Sequence, residues 1–219
     1  MIYAYSEKYI LPISHDEVVH GKQSLLSKMP GDDWQKKANF RLYLTFMMGH
    51  PGKKLLFMSN EFGQWEEWNV NYSINWQHLE YEFHQQLQTF CRALNHFYLD
   101  SPVLYRNDFD PSGFEWIDLH DHHNSVYSFI RRGKPSDDDA PYIFVFNFTP
   151  VPRDNYTVGV PDAGRYQIVF NSDGEEFGGS EYGRQKIYET TNKEWHGRPH
   201  QISLNLPPLA ALVLQLEEA

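Results

Sequence analysis

The sequence predicts an α/β first half followed by an all-β second half, and three observations predict it. Two short apolar runs without polar alternation, residues 10–13 and 55–58, flank a stretch of helical periodicity. A long apolar stripe at helical spacing follows, from Leu79 to Tyr98. From about residue 105 the chain turns to short strands separated by turn residues. At 219 residues it is long enough for two units that each bury a core, and the change of pattern puts the boundary at 1–105 and 106–219.

Ile10-Leu11-Pro12-Ile13 and Leu55-Leu56-Phe57-Met58 read as parallel strands buried on both faces. Between them, Gly31-Asp32-Asp33 marks a helix start with an Asp as N-cap, and Trp34, Ala38, Leu42 and Phe46 recur at steps of four. Gly49-His50-Pro51-Gly52 ends that helix. A strand, a helix and a second strand make a βαβ unit. The next helix carries Leu79, Phe83, Leu87, Phe90, Cys91, Leu94, Phe97 and Tyr98 on one face. The β half reads as strands over 115–119, 125–131, 142–148, 156–160, 166–171, 202–206 and 209–216. Asn171-Ser172-Asp173-Gly174, Gly178-Gly179 and Pro207-Pro208 punctuate them, so a β-sandwich follows. The acidic run Asp137-Asp138-Asp139 reads as a solvated loop.

The net charge of −10 opposes nucleic acid and anionic membrane surfaces as partners. Aromatic residues make up 16% of the chain, suited either to an aromatic-rich core or to stacking on sugar faces. Cys91 is the single cysteine and lies on the apolar stripe, which predicts a packing role and a reducing compartment, the cytoplasm by default. The first residues lack the basic and apolar regions of a secretion signal, and no apolar run approaches the roughly 18 residues of a membrane span.

Candidate chemistry starts at Ser14-His15-Asp16-Glu17, directly after the first buried strand. Groups at the C-terminal ends of parallel strands are where α/β folds place their sites. A carboxylate beside an imidazole is able to hydrogen-bond sugar hydroxyls; a helix-capping Asp with a structural His is the other reading. The second strand ends in Asn60-Glu61-Phe62-Gly63-Gln64, followed by an aperiodic stretch carrying Trp65, Trp68 and Trp76. Trp65 and Trp68 suit a stacking platform or burial against the helices, and Glu61 a binding or a structural role. His15, Asp16, Glu17 and His20, and likewise Asp118, His120, Asp121, His122 and His123, match no metal template in spacing, so no metal or other cofactor is expected.

The run from Ile10 to Lys22, ILPISHDEVVHGK, closely resembles the seventh-strand motif of bacterial 1,4-α-glucan branching enzymes in the α-amylase superfamily. The resemblance continues through Met29-Pro30-Gly31-Asp32-Asp33-Trp34, Gly49-His50-Pro51-Gly52-Lys53-Lys54 and Glu61-Phe62-Gly63-Gln64-Trp65. In the β half it includes Gly113-Phe114-Glu115-Trp116-Ile117, Asn147-Phe148-Thr149-Pro150 and Trp195-His196-Gly197-Arg198-Pro199-His200.

It implies the last two β/α units of a (β/α)₈ barrel followed by a C-terminal β-sandwich. The implied reaction is retaining transglycosylation, α-1,4 to α-1,6, on glycogen or amylose-like chains in glycogen biosynthesis. Asp16 is implied as the transition-state stabiliser and His15 as a ligand of sugar hydroxyls. Glu17, His20, Glu61, Gln64 and Trp65 are implied as substrate-binding. The family's nucleophilic aspartate and acid/base glutamate belong to motifs on earlier strands that these 219 residues do not contain. The expectation is therefore a fragment, inactive alone, whose partners are an α-glucan and the N-terminal part of the enzyme. The alternative is a non-catalytic glucan-binding module.

Overall fold

The computed structural model describes residues 4–136 and 139–217, so Asp137 and Asp138 of the acidic run lie outside the described residues. The first half contains β1 (Ile10–Ile13), α1 (Asp33–Gly49), β2 (Lys53–Leu56) and α2 (Glu82–Leu99). β1 and β2 pair in parallel, Ile10 opposite Lys53 and Ile13 opposite Leu56, with α1 as the crossover. β2 thus begins two residues earlier than the apolar run 55–58 suggests. Lys53 and Lys54 enter the strand because their charges are met locally. The Lys53 ammonium donates to the Tyr105 carbonyl at 2.7 Å and to Asp108 at 3.0 Å, and that of Lys54 donates to the carbonyls of His50 and Gly52.

Burial of both strands on both faces is not what the structure has. Ile10 is 54% and Leu55 41% exposed, while Ile13 is buried. Among the described residues β1 and β2 pair only with each other, so each has one edge without a strand partner. α1 begins as expected. Asp32 caps it by accepting from the Gln35 N–H at 2.9 Å, and Gln35 returns a bond to the Asp32 N–H. The step-of-four stripe describes only part of this helix. Phe40, Leu44 and Met47 are buried as well as Ala38 and Leu42, because α1 packs on α2 and on the large β-sheet, in one cluster with Ile13 of β1. Trp34, on its first turn, is partly exposed. Gly49 sits so close to the sheet that a Cβ would come within 2.7 Å of the Phe144 ring. α2 buries Leu87, Phe90, Cys91 and Leu94, as its stripe requires; Leu79 falls in a separate helical turn just before it.

The second half consists of β3 (Phe114–Asp118), β4 (Val126–Arg131), β5 (Tyr142–Asn147), β6 (Arg153–Val160), β7 (Arg165–Asn171), β8 (Ile187–Glu189), β9 (His200–Leu206) and β10 (Ala210–Leu216). A six-stranded antiparallel sheet runs β3-β4-β5-β10-β7-β8, and β6 pairs with β9 in a second, two-stranded sheet. Alternation across the large sheet explains its composition. Phe144 and Phe146 of β5, with Ala211 and Val213 of β10, join the core made by the helices. Ile143 and Val145, with Leu212 and Leu214, face β6 and β9 instead. Both faces are covered, so these antiparallel strands read as unbroken apolar runs. β8 escapes the sequence pattern because three residues are too few to alternate.

Two buried arginines tie the halves together. Arg131 of β4 pairs with buried Asp108 at 2.8 Å and donates to the carbonyls of Gly49, Leu104 and Gly113. Arg41 of α1 donates to Ser172 and Phe177 carbonyls in the segment after β7 and lies 3.6 Å from buried Asp173.

Candidate functional site

Because β1 and β2 are parallel and in register, the segments leaving their C-terminal ends lie side by side. The Phe57 N–H donates to the Ile13 carbonyl at 2.9 Å, which places Phe57 beside the turn His15–Glu17. Ser14 opens that turn. The Glu17 carboxylate accepts from both the Ser14 N–H (2.6 Å) and the Ser14 hydroxyl (2.8 Å), and the Asp16 N–H donates back to that hydroxyl. The Ser14 hydroxyl is the main reason the Glu17 carboxyl titrates below the ordinary range. Glu17 is therefore a brace for the turn.

His15 and Asp16 point outward. Their side chains are 54% and 72% exposed, with Nε2 of His15 at 3.3 Å from Asp16 Oδ1. The His15 ring rests near Phe57 and meets Trp68 edge-on, at centroid distances of 6.1 and 6.0 Å. Phe57 and Trp68 also meet each other edge-to-face. The imidazole therefore stands on an aromatic wall beside an accessible carboxylate.

The loop after β2 is bonded along the loop after β1. Trp68 N–H donates to the Val18 carbonyl (2.9 Å), and the Ser27 hydroxyl to the Trp65 carbonyl (2.8 Å). Glu67 accepts the backbone N–H groups of Gly21 and Gln23 at 2.9 and 2.7 Å, which hold its carboxyl low. His20 is almost wholly exposed, 3.5 Å from Glu67. Gln64 is buried, donating to the Glu66 carbonyl and accepting from the Asn75 N–H. Trp65 stacks on Phe83 of α2 at 5.5 Å and meets His84 edge-on. Glu61 is half-buried. Of the predicted residues, the structure brings His15 and Asp16 together on the surface with Trp68; Gln64 and Trp65 stand behind them in the framework. Sequence reasoning missed Phe57 and Glu67. Phe57 was absorbed into a strand, and Glu67 carries no signal until its backbone donors are known.

Behind the loops, Glu66 meets His78 at 2.5 Å and Asn75 at 3.0 Å. Burial pushes the Glu66 carboxyl up, but these two bonds outweigh it and leave it below the ordinary range. His84 Nδ1–H donates to the Phe62 carbonyl, 2.9 Å away, and burial lowers the proton affinity of the ring. The Cys91 thiol is buried and pushed well above its ordinary range, which removes it from nucleophilic chemistry. In the β half, Asp121 is occupied by Asn124 and by the Tyr156 hydroxyl at 2.7 Å. Among the described residues no three His, Cys, Asp or Glu side chains are placed to share a metal ion, and no helix is long and apolar enough to cross a membrane.

Two parallel strands whose loops carry an exposed His–Asp pair thus stand ahead of an antiparallel β domain. Residues 116–217 match the α-amylase C-terminal all-β domain. The chain superimposes on the crystal structure of an α-amylase from H. orenii with a TM-score of 0.55 over 95% of this chain and 40% of that one, at 18% identity. It is 51% identical over its full length to the 1,4-α-glucan branching enzyme GlgB of Synechocystis, 50% over 98% of its length to that of Saccharophagus degradans, and 50% over 96% to that of Halothermothrix orenii. The chain thus matches the C-terminal portion of these branching enzymes at about half identity. It spans 28%, 29% and 33% of their respective lengths.

Proposed function

We propose that residues 1–105 are the last two β/α units of a (β/α)₈ barrel, that residues 106–219 are a separate C-terminal β-sandwich domain, and that together they form one wall of a glucan-branching active site. The observation that carries this is the exposed His15–Asp16 pair on the Phe57–Trp68 wall, at the C-terminal end of a parallel strand, in a chain about half identical to branching enzymes. In this reading β1 and β2 are exposed because further strands and helices outside these 219 residues complete the barrel.

The reaction proposed is cleavage of an α-1,4-glucan with retention, followed by transfer of the severed chain to a 6-hydroxyl. Asp16 is the carboxylate that steadies positive charge developing on the ring, and His15 binds hydroxyls of the same sugar. Trp68 and Phe57 fix the His15 ring in place. Glu17, Glu61, Gln64 and Trp65 shape the cleft through the turn and loop they hold, and His20 stands at its rim. Nucleophile and acid/base lie outside the chain. No cofactor enters this chemistry.

The test is incubation of the purified chain with amylose, scored for α-1,6 linkages. No increase above a blank is expected from the chain alone. Branching is expected on mixing with the N-terminal portion of a relative, and Asp16→Asn should abolish it. Branching by the chain alone, or by an Asp16→Asn mixture, contradicts the reading.

A further inference from the structure

The β domain carries a second feature suited to a ligand. Trp195, His196, Gly197 and Arg198 form a two-residue turn closed by reciprocal backbone bonds of 3.0 and 2.9 Å, with His196 (φ 50°) and Gly197 (φ 67°) both left-handed. This turn is fastened to β6. The Trp195 carbonyl lies so close over Gly159 that a Cβ there would come within 2.0 Å of it. The Trp195 indole N–H donates to the Thr157 carbonyl at 3.1 Å, and the Arg198 guanidinium reaches Glu115 at 2.5 Å. The indole is thereby held in one orientation while 44% of the residue stays exposed.

Beside it runs an open groove of about 750 Å³. Its walls carry Asp118, Asp121 and Asp154 with Arg153, and the neutral groups of Asn124, Asn155 and Tyr156, a mixture of donors and acceptors with an excess of carboxylates. Several of these groups are already oriented. The Tyr156 hydroxyl donates to Asp121 at 2.7 Å, the Tyr182 hydroxyl donates to Asp154 at 2.6 Å, and His196 Nε2 stands 3.5 Å from Asp118. A fixed aromatic face flanked by oriented carboxylates and amides is the surface a neutral polyhydroxyl ring requires: C–H groups on the indole, hydroxyls on the polar rim. β6 belongs to the two-stranded layer packed on the face of the large sheet turned away from the helices, so this groove opens on the side opposite the α1 and α2 layer.

We propose that this groove binds a run of an α-glucan chain, with one sugar on the Trp195 indole and its hydroxyls on Asp118, Asp154 and Asn155. The identity of the sugar rests on the glucan reading given above; the existence of the site does not. Its use is to hold polymer on the β domain, raising the local concentration of chain ends near the rest of the protein.

The experiment is affinity electrophoresis of the full chain in gels containing glycogen, with maltoheptaose and a β-1,4-linked glucose oligomer as competitors. Retardation is expected, relieved by maltoheptaose and not by the β-linked oligomer, and persisting in about 1 M salt, where a purely ionic contact is screened within about 3 Å. Trp195→Ala should weaken retention about tenfold, Trp195→Phe by less, and Trp76→Ala, at another exposed indole, not at all. Matching thermal melts of Trp195→Phe and the parent exclude unfolding as the cause. Full retention by Trp195→Ala, relief by salt, or absence of retention in the parent overturns the groove. Loss of retention in Asp16→Asn with Trp195→Ala unaffected also overturns it, but leaves the reading of the His15–Asp16 site intact. Binding of the β-linked oligomer alone, lost in Trp195→Ala, keeps a sugar site here and rejects the glucan reading.

Discussion

Arg131→Met tests what joins the two halves. Arg131 and Asp108 are both fully buried and 2.8 Å apart, and the same guanidinium holds the Gly49, Leu104 and Gly113 carbonyls. Met keeps most of the stem volume, so cavity formation adds little. What is lost is the charge partner and four hydrogen bonds. Removing one member of a buried pair costs about 3–5 kcal/mol, because the other charge is left uncompensated. Lys53, 3.0 Å from Asp108 but partly exposed, answers some of that charge, which places the expected loss at about 3–4 kcal/mol. With a urea slope of about 2 kcal/mol/M, the midpoint should fall by about 1.5–2 M. Amide exchange should quicken first at the end of α1, whose Gly49 carbonyl loses its donor. The double variant Arg131→Met with Asp108→Asn should be less damaging than the sum of the two single changes by at least about 1 kcal/mol. A loss under about 1 kcal/mol, or strict additivity, refutes the idea that this pair secures the junction.

Three further outcomes follow from the same structure. Ser14→Ala should raise the Glu17 titration midpoint toward the ordinary carboxylate value, read by carbon NMR of the side chain, since the Ser14 hydroxyl is the main group holding it down. Half-buried His50 and buried His84 both bind protons less readily than free histidine, so the unfolded chain takes up protons first; their contribution to stability is present above the ordinary histidine value of 6.5 and is lost as pH falls from there toward their lowered folded values, which melting temperatures from neutral to mildly acidic pH should show. Gly49→Ala should destabilise by about 1 kcal/mol despite the better helix propensity of alanine, because its Cβ meets the Phe144 and Phe129 rings and overpacking costs about 1–3 kcal/mol against a gain of about 1; a stabilised variant in urea melts would show that α1 has room to move away.

Legibility in the sequence divides along physical lines. α1 and its ends were readable because Asp32 with Gln35, and His50-Pro51, act through bonds spanning three or four residues. The β strands were readable for a less obvious reason. With both faces of the large sheet covered, strands such as β5 are apolar throughout and stand out against the turns between them. The same reasoning failed on β1 and β2, whose apolar residues Ile10 and Leu55 are exposed and whose outer edges have no strand partner among the described residues. An apolar run reports that a strand is made to be covered, not what covers it.

The site shows the same limit. His15 and Asp16 were legible because they follow an apolar strand at once. The groups that give them a setting were not, because each depends on a contact between distant segments: Phe57 on strand register, Glu67 on the backbone of Gly21 and Gln23, Trp68 on the Val18 carbonyl. The framework that sequence had offered as substrate-binding, Gln64 and Trp65, is engaged with the protein itself. An aromatic residue in a loop is equally suited to a sugar and to a neighbouring helix, and only the fold decides between them. Trp65, held against Phe83, and Trp195, held by its edge and still 44% exposed, are the two outcomes within one chain.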